Sequence, residues 1–326
     1  MNIVYIIGNG FDKAQGMKTS YPEFYQYLMK TECSPLLEEM KKEIKEDTKL
    51  WSDMEEALGV FTSKVKTEEE MDSLHDELSQ HLQNYLKKED DDFAFNVEMR
   101  NKIRWDLMHP EGYLAEADRE AYNKFIKPIK NESLRLDFHI ITLNYTNTIE
   151  RLLSVVGPNP DLVLDKSQGC FLQDICHVHG QLGDTIIIGV DNKKQIQNSS
   201  FQSSDEIASF LIKADANAAM KNLRHRNCEQ LIKKANLMVL FGVSYGETDI
   251  RWWKLIGDEL KKRGNLGVIS FLYCPGEIPE TRKYKLTAVE KRERQRIYSK
   301  MGIGYPSETI DSRFFISINS SMFSKQ

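Results

Sequence analysis

The chain has 326 residues, 40% of them hydrophobic and 29% charged, and a formal net charge of −5. That size and balance suit a globular protein of one large or two smaller domains, and the acidic sum leaves no basic footprint for nucleic acid. No window reaches the ~20 apolar residues of a membrane span, no charged-then-apolar leader precedes residue 3, and five cysteines with no Cys-x-x-Cys pair exclude a four-cysteine zinc ribbon. The expectation is a cytoplasmic protein with reduced thiols, no membrane contact and no metal.

The first element is a buried strand, Ile3 to Ile7, running into Gly8-Asn9-Gly10-Phe11-Asp12. Two glycines let a backbone bend sharply and approach a ligand, and a helix after such a turn aims free N–H groups at a phosphate. An ordinary tight turn needs the same residues. The third glycine of the dinucleotide fingerprint is replaced by Lys13.

Helices follow. Ser20, Pro22 and Glu23 spell a capping box with proline in the first turn, and Ser34-Pro35 opens a second helix. Apolar spacing predicts further helices from Trp51 through Phe61, over Met71 to Tyr85, over 97–107 and over 114–129. The charge run Lys87 to Asp92 reads as a solvated loop. Residues 20–133 are thus expected to form an all-helical insertion packed on a core made of 1–19 and 134–326.

Strand signals return at 138–143, 175–179, 185–190, 237–241 and 268–273, with an edge strand at 313–318. Helical patterns lie over 204–235, after Asp249, and over 281–301. Alternating strand, polar loop and helix predict an open, mostly parallel, Rossmann-like α/β sheet. Such sheets bind ligands at the carboxyl ends of their strands. That rule brings Gly8 to Asp12, Asn144 to Asn147, His179-Gly180 and Gly242 to Asp249 to one rim.

Each candidate has a plain alternative. Asn144 is either a turn asparagine or an amide that orients a water or a sugar hydroxyl. His179 is a satisfied strand-end histidine or a general base near neutral pH. His177 and His179, two apart on a strand, would face one side and could bind a metal with Asp184 or Asp191. Asp12 would repel a phosphate unless it turns away, caps a helix or meets a ribose hydroxyl. Trp252 and Trp253 are expected to pack their helix on the sheet, and Cys170 and Cys176 to be structural.

Ile-Ile-Gly-Asn-Gly-Phe-Asp at 6–12, with Thr19-Ser20-Tyr21 and Phe24, resembles the opening of the AbiH-type bacteriophage abortive-infection family. Trp51-Ser52-Asp53 with Glu55, Asn144-Tyr145-Thr146, His177 to Gly180, and Phe241 through Asp249 are similar to its later blocks. More distantly, the pattern resembles the sirtuin-like superfamily, in which a glycine motif grips NAD, and an asparagine and a histidine do the chemistry. Leu143 before Asn144, and Thr146 after Tyr145, depart from the usual sirtuin loop. So do Asn9 and Asp12 in the glycine motif, and the missing zinc-ribbon cysteines argue against a deacylase.

The resemblance implies a phage-defence protein that hydrolyses NAD. Asn144 and His179 would be catalytic. Gly8, Asn9, Gly10, Phe11, Asp12, Tyr145, Gly180, Gly242, Ser244 and Asp249 would bind the nucleotide, with Gly8 and Gly10 on its pyrophosphate. The alternatives are a metal-dependent phosphodiesterase built on His177 and His179, and a non-catalytic nucleotide-sensing module. A homo-oligomer contact through 20–133 and a phage-derived trigger are the expected means of restraint.

Overall fold

A computed structural model describes residues 1–131, 135–276, 278 and 284–325. Seven strands form one sheet: β1 (Asn2–Ile7), β2 (Leu136–Thr142), β3 (Leu162–Asp165), β4 (Cys170–His177), β5 (Leu237–Phe241), β6 (Gly267–Leu272) and β7 (Phe314–Ile318). Their order is β3-β4-β2-β1-β5-β6-β7. Every pairing is parallel except β3 with β4, so the expected open, mostly parallel sheet is what forms.

The central strand is β1. Ile3, Tyr5 and Ile7 enter the core on one face, and Val4 and Ile6 enter the core on the other. Period-two alternation with apolar residues at both phases is what a strand covered on both sides requires. Helices Val97–Met108, Glu116–Asn131 and Thr148–Leu153 lie on the first face. Helices Arg224–Lys234, Ile250–Lys262 and Leu286–Met301 cover the second, where Trp252 and Trp253 are buried as expected of packing residues.

A third apolar cluster stands beside the sheet. Helices Tyr21–Leu28, Pro35–Glu46, Met54–Phe61 and Glu68–Asp92 share it with residues from Leu182 to Ile212. The Ser20 capping box forms, and Ser34 and Asp53 cap the next two α-helices. The 133/134 boundary of the expected insertion lies outside the described residues.

Four local expectations change. Lys87 to Asp92 is not a loop but the last turns of Glu68–Asp92, supported by Lys87–Asp91 and Lys88–Asp92 pairs four residues apart. The strand expected at 175–179 is the end of the longer β4, which pairs with the unpredicted β3 as a hairpin. Val178 and His179 lie past it in a turn. Residues 185–190 are not a strand and make only an isolated bridge, Val190 to Ile212. The helical stretch 204–235 is three helices, Asp205–Leu211, Lys213–Ala219 and Arg224–Lys234. The start of the helix expected at 281 lies outside the described residues.

The chain leaves β1 for β2 on one side and later returns to β5 on the other. The strand order therefore reverses between β1 and β5. Loops leaving the carboxyl ends of two such strands diverge and open a crevice there.

Candidate functional site

That crevice holds a cavity of about 180 Å³. Its wall comes from four strand-end segments: Gly8, Asn9 and Asp12 after β1, Leu143 to Thr146 after β2, His179 after β4, and Gly242 to Ser244 with Thr248 and Asp249 after β5. The helical cluster adds Thr19, Tyr21, Asp53, Glu55, Leu82 and Leu86. Nine of the expected residues therefore meet here: Gly8, Asn9, Asp12, Asn144, Tyr145, His179, Gly242, Ser244 and Asp249.

Three expected residues do not. Phe11 is core, set edge-on to Phe323 at 5.3 Å. Gly180 has φ +82°, and a side chain there would meet Thr185 O at 2.0 Å, so its glycine serves the turn. Gly10 faces backbone: a Cβ on it would stand 2.4 Å from Gly242 Cα. The amides of Gly8, Gly10, Phe11 and Lys13 are donated to Phe241, Gly242, Gly8 and Asn9 carbonyls. The amides of Gly8 and Gly10 are thus spent on contacts within the protein. Asn9 lines the wall, but its amide is occupied with Thr19.

A charged relay runs behind the wall. His179 Nε2 lies 2.8 Å from Asp249 Oδ1. The Lys213 ammonium donates to Asp249 Oδ1 at 3.1 Å, to Glu55 Oε2 at 2.7 Å and to Thr248 O at 3.1 Å. Glu55 also accepts from Gly189 N and from the Tyr145 hydroxyl. Burial alone would lower the Lys213 pKa, but Asp249 and Glu55 override it and keep the group charged. Burial opposes ionisation of Asp249, yet Lys213 and His179 hold it well below the usual carboxylate range. Burial pushes Glu55 up to about 7, with Lys213 only partly opposing. The physical cause is stoichiometric: one ammonium compensates one of two buried carboxylates.

This relay fixes the histidine. Burial and the nearby Lys213 charge lower the His179 pKa, so the ring is neutral at pH 7. An ionised Asp249 only accepts, so the His179 proton sits on Nε2 and the lone pair is on Nδ1. That Nδ1 is buried and has no protein partner among the described residues, and the same is true of both side-chain atoms of Asn144 and of Asp12 Oδ1. Buried polar atoms of this kind cost about 1–3 kcal/mol each unless something else binds them.

Asp12 shows the cost directly. Its Oδ2 accepts from Thr146 Oγ1 at 2.6 Å, and Thr148 and Asn144 also favour its charged form, but among the described residues no cation faces it and burial pushes its pKa up to about 6. A carboxyl raised on folding binds its proton more tightly in the native state. Its contribution is therefore favourable below about pH 4 and is lost as pH rises through 6. Asp12→Asn should stabilise the protein by about 1–2 kcal/mol above pH 6.5 and by nothing at pH 4. Urea midpoints across that range check it; a gain independent of pH would contradict the charge explanation.

The metal alternative is not assembled. His177 gives Nδ1 to Asn144 O at 2.9 Å and Nε2 to Glu150 Oε1 at 2.7 Å. With both nitrogens donating, it is held as an imidazolium: burial lowers its pKa but Glu150 raises it further. Asp184 pairs with Arg224, and Asp191 accepts from Arg251 N. Among the described residues, neither histidine belongs to a group at metal-ligand spacing. His177 and His179 part because the strand ends between them, so they do not share a face. His177 instead fastens the loop that carries Asn144.

Comparison with known proteins bears on the same segments. The family model for bacteriophage abortive infection AbiH matches residues 4–271. The chain belongs to the AbiH family. No curated protein matches it. The AbiH match runs from β1 into β6 and contains every residue of the cavity wall. No helix among the described residues is long and apolar enough to cross a membrane.

Of the AbiH residues that sequence reasoning did not place at the site, Asp53 and Glu55 had a signal, the Trp51-Ser52-Asp53 block with Glu55. Lys213 had none. It sits in a short helix with Ala at four positions, and only its three acceptors mark it out.

Proposed function

We propose that the chain acts in phage defence by hydrolysing the nicotinamide–ribose bond of NAD. Asn144 holds the attacking water and His179 is the general base. The observation that carries this reading is the group of buried, unpartnered polar atoms of Asn144, His179 and Asp12 on one cavity wall. The wall is also acidic. Asp12, Asp53, Glu55 and Asp249 line it, and among the described residues no Lys or Arg does, the Lys213 ammonium lying behind Glu55 and Asp249. Such a wall favours the cationic nicotinamide-ribosyl end of NAD and disfavours phosphate.

The reaction balances simply. The bond from ribose C1′ to the pyridinium nitrogen breaks, and its electron pair stays on that nitrogen, giving neutral nicotinamide. Water oxygen bonds to C1′, and its proton passes to His179 Nδ1. Asp249 then faces an imidazolium, which its charge stabilises. Positive charge building on the sugar in the transition state is favoured by the same acidic wall. A cavity of about 180 Å³ is small beside the ~300–1,000 Å³ of pockets that enclose a whole drug-sized ligand. It suits the ribosyl head, with the adenylate half outside.

The test is nicotinamide release by purified protein incubated with NAD. His179→Ala and Asn144→Ala should each lower release at least about 100-fold while the fold is retained. Undiminished release by folded His179→Ala overturns the assignment. Stoichiometric NAD binding with no release from the parent protein would leave the nucleotide-sensing reading in its place. The homo-oligomer and the phage-derived trigger remain part of this reading as the restraint on a toxic activity in the cytoplasm.

A further inference from the structure

Three half-buried residues of ligand type that do not line the cavity converge within the helical cluster. Glu77 and His81 are one turn apart on Glu68–Asp92 and so share a face. Cys33 reaches them from the link between helices Tyr21–Leu28 and Pro35–Glu46. Cys33 Sγ is 3.8 Å from His81 Nε2, and that nitrogen is 3.9 Å from Glu77 Oε1. One ligand atom from each lies within 4.8 Å of the others, and all three residues are half-buried, open to an ion from solvent.

We propose that Cys33, Glu77 and His81 form a zinc site. Tetrahedral zinc with Zn–S near 2.3 Å and Zn–N or Zn–O near 2.0–2.2 Å separates its donor atoms by roughly 3.3–3.6 Å. The spacings of 3.8 and 3.9 Å lie a few tenths of an ångström outside that range, and the third pair, Cys33 with Glu77, is within 4.8 Å. A thiolate, a carboxylate and a neutral imidazole together offset the charge of Zn²⁺. The sulfur disfavours Mg²⁺ and Ca²⁺, which take oxygen ligands.

The outer contacts hold the ligands in place. Ser34 N donates to Glu77 Oε1 at 2.9 Å, tying the Cys33 link to the long helix, and Thr31 Oγ1 lies 3.4 Å from the sulfur. Lys41 donates to Thr31 O and to Glu38 Oε1, each at 2.6 Å, bracing the link that carries Cys33. Three protein ligands leave a fourth position for water. A metal here would fasten the link that follows the helix whose first residue, Tyr21, lines the cavity.

The full chain, stripped with chelator, is titrated with Co²⁺ and then with Zn²⁺. One Co²⁺ per chain should give a thiolate charge-transfer band in the near ultraviolet and tetrahedral visible bands, and Zn²⁺ should displace it. Cys33→Ser should abolish the charge-transfer band. His81→Gln should weaken Zn²⁺ binding at least about 10-fold. Neither residue lines the cavity, and circular dichroism of the metal-free proteins reports their folding. Zn²⁺ should raise the Tm of the parent and not of Cys33→Ser. Absence of one-to-one binding in the parent, or binding undiminished in either folded variant, overturns the site.

Discussion

Lys213→Met should destabilise the protein by about 3–5 kcal/mol at pH 8. Lys213 is 2% exposed and is the ammonium shared by Glu55 and Asp249. Methionine fills similar volume, so the loss is electrostatic. Two carboxylates stay buried, with only the His179 imidazole and neutral donors facing them. Their pKa values rise in the folded state, and a raised carboxyl loses its contribution as pH rises through the folded pKa. Glu55, already pushed up to about 7 with Lys213 present, will be protonated at pH 5 without it. The deficit should therefore shrink as pH falls from 8 to 5. Urea unfolding at several pH values measures it, and a small deficit that is flat with pH would contradict the shared-ammonium account. A second signal accompanies it. Lys213 lowers the His179 pKa, so removing its charge should move the His179 titration upward by NMR.

Gly10→Ala should cost about 3–4 kcal/mol through a different cause. The loops after β1 and β5 cross backbone to backbone. Gly10 N donates to Gly242 O at 2.9 Å. A Cβ on Gly10 would stand 2.4 Å from Gly242 Cα, and one on Gly242, where φ is +68°, would stand 2.7 Å from Gly10 Cα. Neither neighbour is a flexible side chain, so the strands' ends must separate to admit a methyl group. That also deforms the cavity, because Gly8 and Gly242 are part of its wall. Gly112→Ala is the control: nothing lies within 4 Å of its Cβ position. It should change stability by under ~0.5 kcal/mol. Equal stability of the two variants would show that the crossing relaxes freely.

The contrast between these two positions explains what was readable beforehand. Gly10 was singled out from the sequence because two glycines after an apolar strand are conspicuous. In the folded protein its close approach is to Gly242. A lysine in an Ala-rich helix reads as a solvated side chain, so nothing in the sequence marks Lys213. His177 and His179 were read as a pair on one strand, yet β4 ends at His177, and each ring meets a different carboxylate, Glu150 and Asp249. The charge of Lys87 to Asp92 reads as a loop, although lysine and aspartate four residues apart support a helix end equally well.

The sequence by itself determined the open parallel sheet, its buried strands β1, β2, β5 and β6, and the strand-end loops that meet at one crevice. Its motif blocks also carried the AbiH resemblance, which the family match over 4–271 bears out. These follow from apolar runs and their period, which report burial along a single element. Only the tertiary structure decided which polar groups face one another: His179 on Asp249, Lys213 between Asp249 and Glu55, Gly10 against Gly242, and Asn144 and Asp12 left with unpartnered atoms. Those contacts join residues far apart in the chain. Each depends on the relative placement of two elements, and local periodicity carries no information about that placement.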